Sequence, residues 1–405
     1  MRGFSRSHAL VGRLFGWPLA MPLILVVAAC SPGVASPTPS VALRARASAT
    51  PTPSPTLPPT QSATLPSTGP GTFIDAGATV GVRLNATLLK DGRVLMAGGR
   101  DGDSKTLDTA ELFDPVSGKY TPVGSMTAPR LDPAVARLPN GRVLVAGGGD
   151  AQQNPLASAE LFDPGAGTFA ATGSMKTARL GPEAFGLPGG TVLILGGKDT
   201  DGNSLGSAEI YDPATGSFAA AGSMVGARGG YGAVQLADGR VLVAGGSDGG
   251  ASPLATAELF DPKTRTFTAT GTMAVGRLYP ATALLPDGRV LVAGGNGSAV
   301  AEQPLASAEI FDPKTGTWST TGSMAAARDG LVAASLRDGR VLIAGGARDN
   351  SAELFDPKAG TFGPTGPTTV YRAGQIVTVV LVDGRVFLVG GSGGQDVFAA
   401  EIYQP

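Results

Sequence analysis

Seven arginines recur along the chain at nearly even spacing: Arg83, Arg130, Arg179, Arg228, Arg277, Arg328 and Arg372. A guanidinium group binds carboxylate, phosphate or sulfate through paired N–H donors, so a ring of seven would suit an anionic ligand. Seven glutamates recur in step with them, Glu111, Glu160, Glu209, Glu258, Glu309, Glu353 and Glu401. A carboxylate on a covered strand needs a partner, so the same inventory also fits seven internal ion pairs. Near the arginines stand residues that do not repeat: Asp132, Glu183, Tyr231, Tyr279, Asp329, Tyr371 and Gln375. Tyr beside Arg and carboxylates makes a surface for sugars or peptides, and the carboxylates could act as acids or bases. Tyr and Glu packed within strands are the competing reading.

What is scarce excludes as much as what recurs. The chain has one His, His8, and one Cys, Cys30, so no intrachain disulfide, metal site or redox cofactor is expected. The segment Asp199-Thr200-Asp201-Gly202-Asn203-Ser204 begins like a calcium loop, but its twelfth position is Ile210, and a polar turn is the better reading. Net charge is −1, with five Arg and no acid in the first 70 residues, which leaves a mildly acidic body. Without a basic block, no nucleic-acid partner is expected.

The elements that place these residues follow from a repeat. The 405 residues include 61 Gly and 32 Pro, a composition unsuited to a mainly helical fold. An apolar run ending in diglycine recurs at Gly98-Gly99, Gly147-Gly148, Gly196-Gly197, Gly245-Gly246, Gly294-Gly295, Gly345-Gly346 and Gly390-Gly391. Spacings near 50 residues signal propellers or solenoids. Each unit begins with an alternating segment and a D-G, N-G or G-G pair, which predicts a two-residue hairpin. The apolar run follows, then A-E-[LI]-[FY]-D-P, a Gly-containing turn and an aromatic residue, giving four strands, a to d. The last unit stops at Pro405 without a strand d, and Thr72-Phe73 at the front matches the missing piece. One N-terminal strand would therefore close a ring of seven blades.

These residues, from diglycine and D-P strand to the aromatic, Met and Arg, resemble the kelch repeat family across residues 72–405. The resemblance implies an all-β, seven-bladed kelch-type propeller with four antiparallel strands per blade. It implies binding modules, scaffolds and some enzymes, and arginines at this motif position that contact acidic ligands in some members. Bacterial relatives commonly carry His three residues after the Arg; here those positions hold Pro133, Pro182, Tyr231, Pro280, Leu331 and Gln375. Copper oxidases with a kelch-like propeller, such as galactose oxidase, use His, Tyr and a Tyr-Cys crosslink, and this chain lacks the residues for that.

Residues 1–29 read as a lipoprotein signal peptide: Arg2, Arg6 and Arg13, then apolar Trp17 to Ala29, too short for the ~20 residues of a membrane span. Val27-Ala28-Ala29-Cys30 resembles a bacterial lipobox, which makes Cys30 the expected lipid attachment site. Residues 30–70 are Pro-, Ser- and Thr-rich and read as a disordered stalk, leaving 71–405 as the propeller.

The expected product is a lipid-anchored extracytoplasmic protein. Its a–b and c–d turns are short and alike, whereas the residues between diglycine and A-E number 10, 10, 10, 10, 12, 5 and 8. Variable loops on a rigid scaffold favour binding on the face shared by the b–c and d–a connections. A protein, peptide or glycan ligand is expected there, anionic if the arginines meet it. Carboxylate chemistry on an anionic sugar, of epimerase or lyase type, and structural display without a ligand are the alternatives.

Overall fold

A computed structural model describes residues 71–82, 85–392 and 398–405. They form seven four-stranded antiparallel sheets, with no helix among the described residues. The expected signal, Cys30, stalk and Arg83 lie outside the described residues. In the second blade, strand a is Ala134–Arg137, b Val143–Ala146, c Ala159–Asp163 and d Thr168–Ala171, paired in that order. The innermost strand of the first blade, Thr87–Leu88, lies against those of both the second and the seventh blade, so the sheets run in a closed ring.

The apolar runs become strand b because both faces are covered. Val192–Leu195 is wholly buried. Val192 and Ile194 pack on Leu144 and Ala146 of the blade before, whereas Leu193 and Leu195 pack on Val241 and Val243 of the blade after. Period-two alternation thus feeds two different cores. The diglycine lets neighbouring blades approach. Gly98 has φ 74°, and a Cβ there would sit 2.2 Å from the Arg130 carbonyl oxygen, while the Gly99 N–H donates to that oxygen at 2.9 Å.

The hairpins differ from the two-residue form expected. Leu138 N–H donates to Arg142 O at 2.8 Å and Gly141 N–H to Leu138 O at 2.9 Å, which leaves a three-residue loop, 139–141. Gly141 adopts φ 91°, the left-handed residue that ends a type I turn in a G1 bulge. The D-G signal marked the turn, but its glycine follows the turn instead of forming a two-residue loop.

The c–d turns place a left-handed glycine at Gly118, Gly167, Gly216, Gly316 and Gly360, but Arg265 holds this position in the fourth blade with φ 58°. A side chain there costs about 1 kcal/mol or more in the folded state, partly offset by the greater unfolded-state entropy of Gly. Arg265→Gly is expected to stabilise the fold by ~0.5–1 kcal/mol. Urea unfolding checks this, and a lower midpoint would show that the arginine side chain contributes more than its backbone costs.

The ends meet as the repeat requires. Thr72–Ala78 pairs with Ala399–Gln404, and Phe73 opposes Tyr403 with ring centroids 4.9 Å apart. Phe113 and Tyr120 make the same contact in the first blade at 4.8 Å. Gly366 N–H of the sixth blade donates to Gly71 O at 2.7 Å, as Gly124 N–H does to Gly167 O at 2.8 Å.

Candidate functional site

The repeated arginines are internal. Arg130, Arg179, Arg228, Arg277, Arg328 and Arg372 are all buried, and each forms an ion pair with the Glu of strand c in the blade it introduces. Arg130 is representative: Nη1 donates to Gly147 O and Ser158 O, both at 2.9 Å, and Nη2 to Ser158 Oγ and Glu160 Oε1, also at 2.9 Å. Thr127 N–H donates to the other Glu160 oxygen at 2.9 Å. The d–a connection is therefore fastened to its blade by a buried pair, although Arg179 Nε and Arg277 Nε have no hydrogen-bond partner among the described residues.

The six described arginines are therefore buried framework groups and not a ring of free donors. An anionic ligand expected on their account loses its basis, because the arginines are buried and their terminal nitrogens already hold Glu and backbone oxygens. The turn arginines on the opposite face are paired as well. Arg93, Arg240, Arg289, Arg340 and Arg385 each donate to the Asp two residues earlier. Arg240 and Arg385 also reach the Pro313 and Pro115 carbonyls of the next blade, at 3.2 and 2.8 Å. Two shallow grooves of about 560 and 540 Å³ open between such turns.

The non-repeating residues come to the mouth from the d–a side. Gln375 Nε2 of the seventh blade donates to Asp132 Oδ2 of the second at 3.3 Å, across 243 positions of sequence. Asp132 neighbours the third blade, with Oδ2 2.9 Å from where a Cβ on Gly181 would stand. Burial pushes the Asp132 carboxyl up to about 6. Burial and then the Asp132 charge push Glu183 up to about 8. Both are half-buried. Tyr231 follows from the fourth blade; burial and then Glu183 raise its phenol, and its hydroxyl donates to Leu195 O at 3.4 Å.

The other described residues expected at the site make no hydrogen bond or ion pair with Asp132 or Glu183. Asp329 is half-buried and accepts from Asn296 Nδ2 at 3.2 Å; burial raises its carboxyl while that amide opposes the rise. Tyr279 is exposed, with its ring over Gly230, and Tyr371 is half-buried beside Arg372. Arg83 remains outside the described residues. Asp199 is a polar turn: its Oδ1 accepts from Asp201 and Asn203 N–H, both at 2.9 Å, and those bonds, that of Asn203 foremost, lower its carboxyl.

One column of the repeat was not singled out from sequence. The second residue after the arginine is left-handed in the second to seventh blades: Asp132 (φ 51°), Gly181 (62°), Gly230 (63°), Tyr279 (50°), Gly330 (67°) and Gly374 (73°). Four are glycine, and the two side chains tolerated there are Asp132 and Tyr279, both at the mouth. Aligning the blades on the arginine would have exposed them.

Residues 86–127, 228–274 and 277–325 match the family pattern described as the kelch motif. No curated protein sequence matches the chain. Among solved structures, a fungal alcohol oxidase of the AA5 family, in complex with copper, is similar with a TM-score of 0.63 and 18% identity, covering 83% of this chain and 76% of that one. At that identity the likeness concerns the fold. The donors at this mouth are carboxylate, amide and phenol oxygens, and neither His8 nor Cys30 falls among the described residues. That set does not fit a copper centre built on imidazole.

Proposed function

We propose that this seven-bladed propeller of kelch repeats is a binding scaffold that takes a protein, peptide or glycan partner on the face of its b–c and d–a connections. The observation that carries this reading is a division of labour. The repeated charges are paired inside the framework, whereas residues particular to single blades, Asp132, Glu183, Tyr231, Tyr279 and Gln375, gather at the channel mouth among the variable loops. The described residues singled out at the mouth offer hydrogen-bond acceptors and aromatic surface, which favours a donor-rich partner. Peptide and glycan arrays probed with the full chain test this. Specific hits support the reading, and arrays without hits favour display without a dedicated ligand.

Carboxylate acid/base chemistry on a sugar has one observation in its favour: Glu183 is held protonated near neutral pH at the mouth of a channel, as a general acid requires. Turnover of acidic sugars that disappears in Glu183→Gln would promote that reading. The lipobox at Cys30 and the Pro-rich residues 31–70 support a lipid anchor and stalk that hold the propeller outside the cytoplasm. Release of the protein from membranes on Cys30→Ser checks the anchor.

A further inference from the structure

The Asp132 and Glu183 carboxyls present a problem that the binding reading does not address. The two acids come from adjacent blades, with Asp132 Oδ2 2.9 Å from where a Cβ on Gly181, two residues before Glu183, would stand, and the Asp132 charge acts on Glu183. Arg130, Arg179, Arg228 and Arg372, from the blades packed around the site, are each turned into their own ion pairs. Two uncharged groups meet the acids: the Gln375 amide donates to Asp132, and the Tyr231 phenol stands beside Glu183. Asp132 is moreover fixed in place by a left-handed backbone at a position that is glycine in four other blades. The ordinary remedy for two such carboxyls is a retained proton.

We propose that Asp132 and Glu183 act as one proton-holding pair that sets the charge of the channel mouth, so that the mouth changes its recognition with pH. The two protons leave in steps that belong to the pair. Below the lower step, at about 6, the mouth is neutral and both carboxyls can donate; above the upper, at about 8, both are charged and can only accept. Between the steps the pair carries one negative charge, with Gln375 oriented to donate to ionised Asp132. A partner bringing an ammonium or guanidinium group gains as pH rises through this range, and one whose carbonyl or ether oxygens accept from a carboxylic acid loses. The consequence for ligands rests on the mouth being the recognition surface, but the pair itself does not.

The test therefore reads stability and needs no ligand. A carboxyl whose proton is held more tightly in the fold than in the unfolded chain, where Glu loses it near ~4.3, contributes stability that is complete below the unfolded value. That contribution is lost as pH rises through the folded value. Thermal unfolding of the full chain from pH 4 to pH 9 is compared with Glu183→Gln and Asp132→Gly. The natural chain is expected to lose roughly 4 °C or more of its midpoint over this range, and Glu183→Gln to lose clearly less. Asp132→Gly matches the backbone that four blades already use, so it is expected to fold. By removing the neighbouring charge it shifts the remaining loss to lower pH. Midpoints that fall equally in all three proteins would overturn the proposal, as would an Asp132→Gly profile that falls over the same pH interval as the natural chain.

Discussion

A chain that begins at residue 80 is expected to lose cooperative folding, because it lacks the strand that closes the ring. Phe73, Ile74 and Ala76 are buried, and Thr72–Asp75 pairs residue for residue with Glu401–Gln404. Losing a buried Phe costs ~3–5 kcal/mol and a buried Ile ~2–5, which together approach the 5–15 kcal/mol by which a typical domain is stable. The loss also exposes Ala399–Gln404 as an open sheet edge and removes the Gly366 and Thr365 hydrogen bonds to Gly71 O. Phe73→Ala is the milder form, expected to cost ~3–5 kcal/mol. Urea unfolding followed by circular dichroism reads both. An unchanged midpoint in the shortened chain would mean that the seventh blade is stable with three strands.

Arg277→Met is expected to destabilise the fold by ~3–5 kcal/mol, since it strands a buried carboxylate. Glu309 would keep its bonds from Ala274 and Val275 N–H, at 2.7 and 3.2 Å, but lose its counter-charge. The Gly294 and Ser307 carbonyls would lose the Nη1 donor that joins them at 3.0 and 2.7 Å. Replacing both partners, Arg277→Met with Glu309→Leu, is expected to recover a large part of the loss, because the paired apolar state leaves no buried charge. Chemical denaturation of the four proteins in this cycle gives the coupling. A single substitution costing well under 1 kcal/mol would remove the framework role assigned to the arginines.

The repeat made most of the fold legible. Seven diglycines and the D-P strand pointed to seven units with strand b covered on both faces, and Thr72-Phe73 before the first unit favoured a closed ring over an open stack. The Arg and Glu columns showed that pairing was available. They did not show which way the arginines turned, and an anionic mouth ligand followed from one direction and ion pairs from the other. The three-residue hairpins depend on where Gly141 falls relative to the turn, one residue of register that D-G and N-G pairs do not fix. Contacts between blades were the least legible. Gln375 and Asp132 are neighbours only because the ring brings the seventh blade round to the second. The side chains at Asp132 and Tyr279 stand out only once the blades are superposed.

The central claim is that the mouth on the variable-loop face recognises the partner and that the repeated charges hold the framework. The most direct measurement is the affinity of an array-identified ligand for the full chain, for Glu183→Gln and Tyr279→Ala at the mouth, and for Arg240→Ala among the turns opposite. The account predicts at least tenfold weaker binding in a mouth variant, about 1.4 kcal/mol, with natural affinity kept in Arg240→Ala. Affinity unchanged in both mouth variants but lost in Arg240→Ala would contradict it and move recognition to the short-turn face.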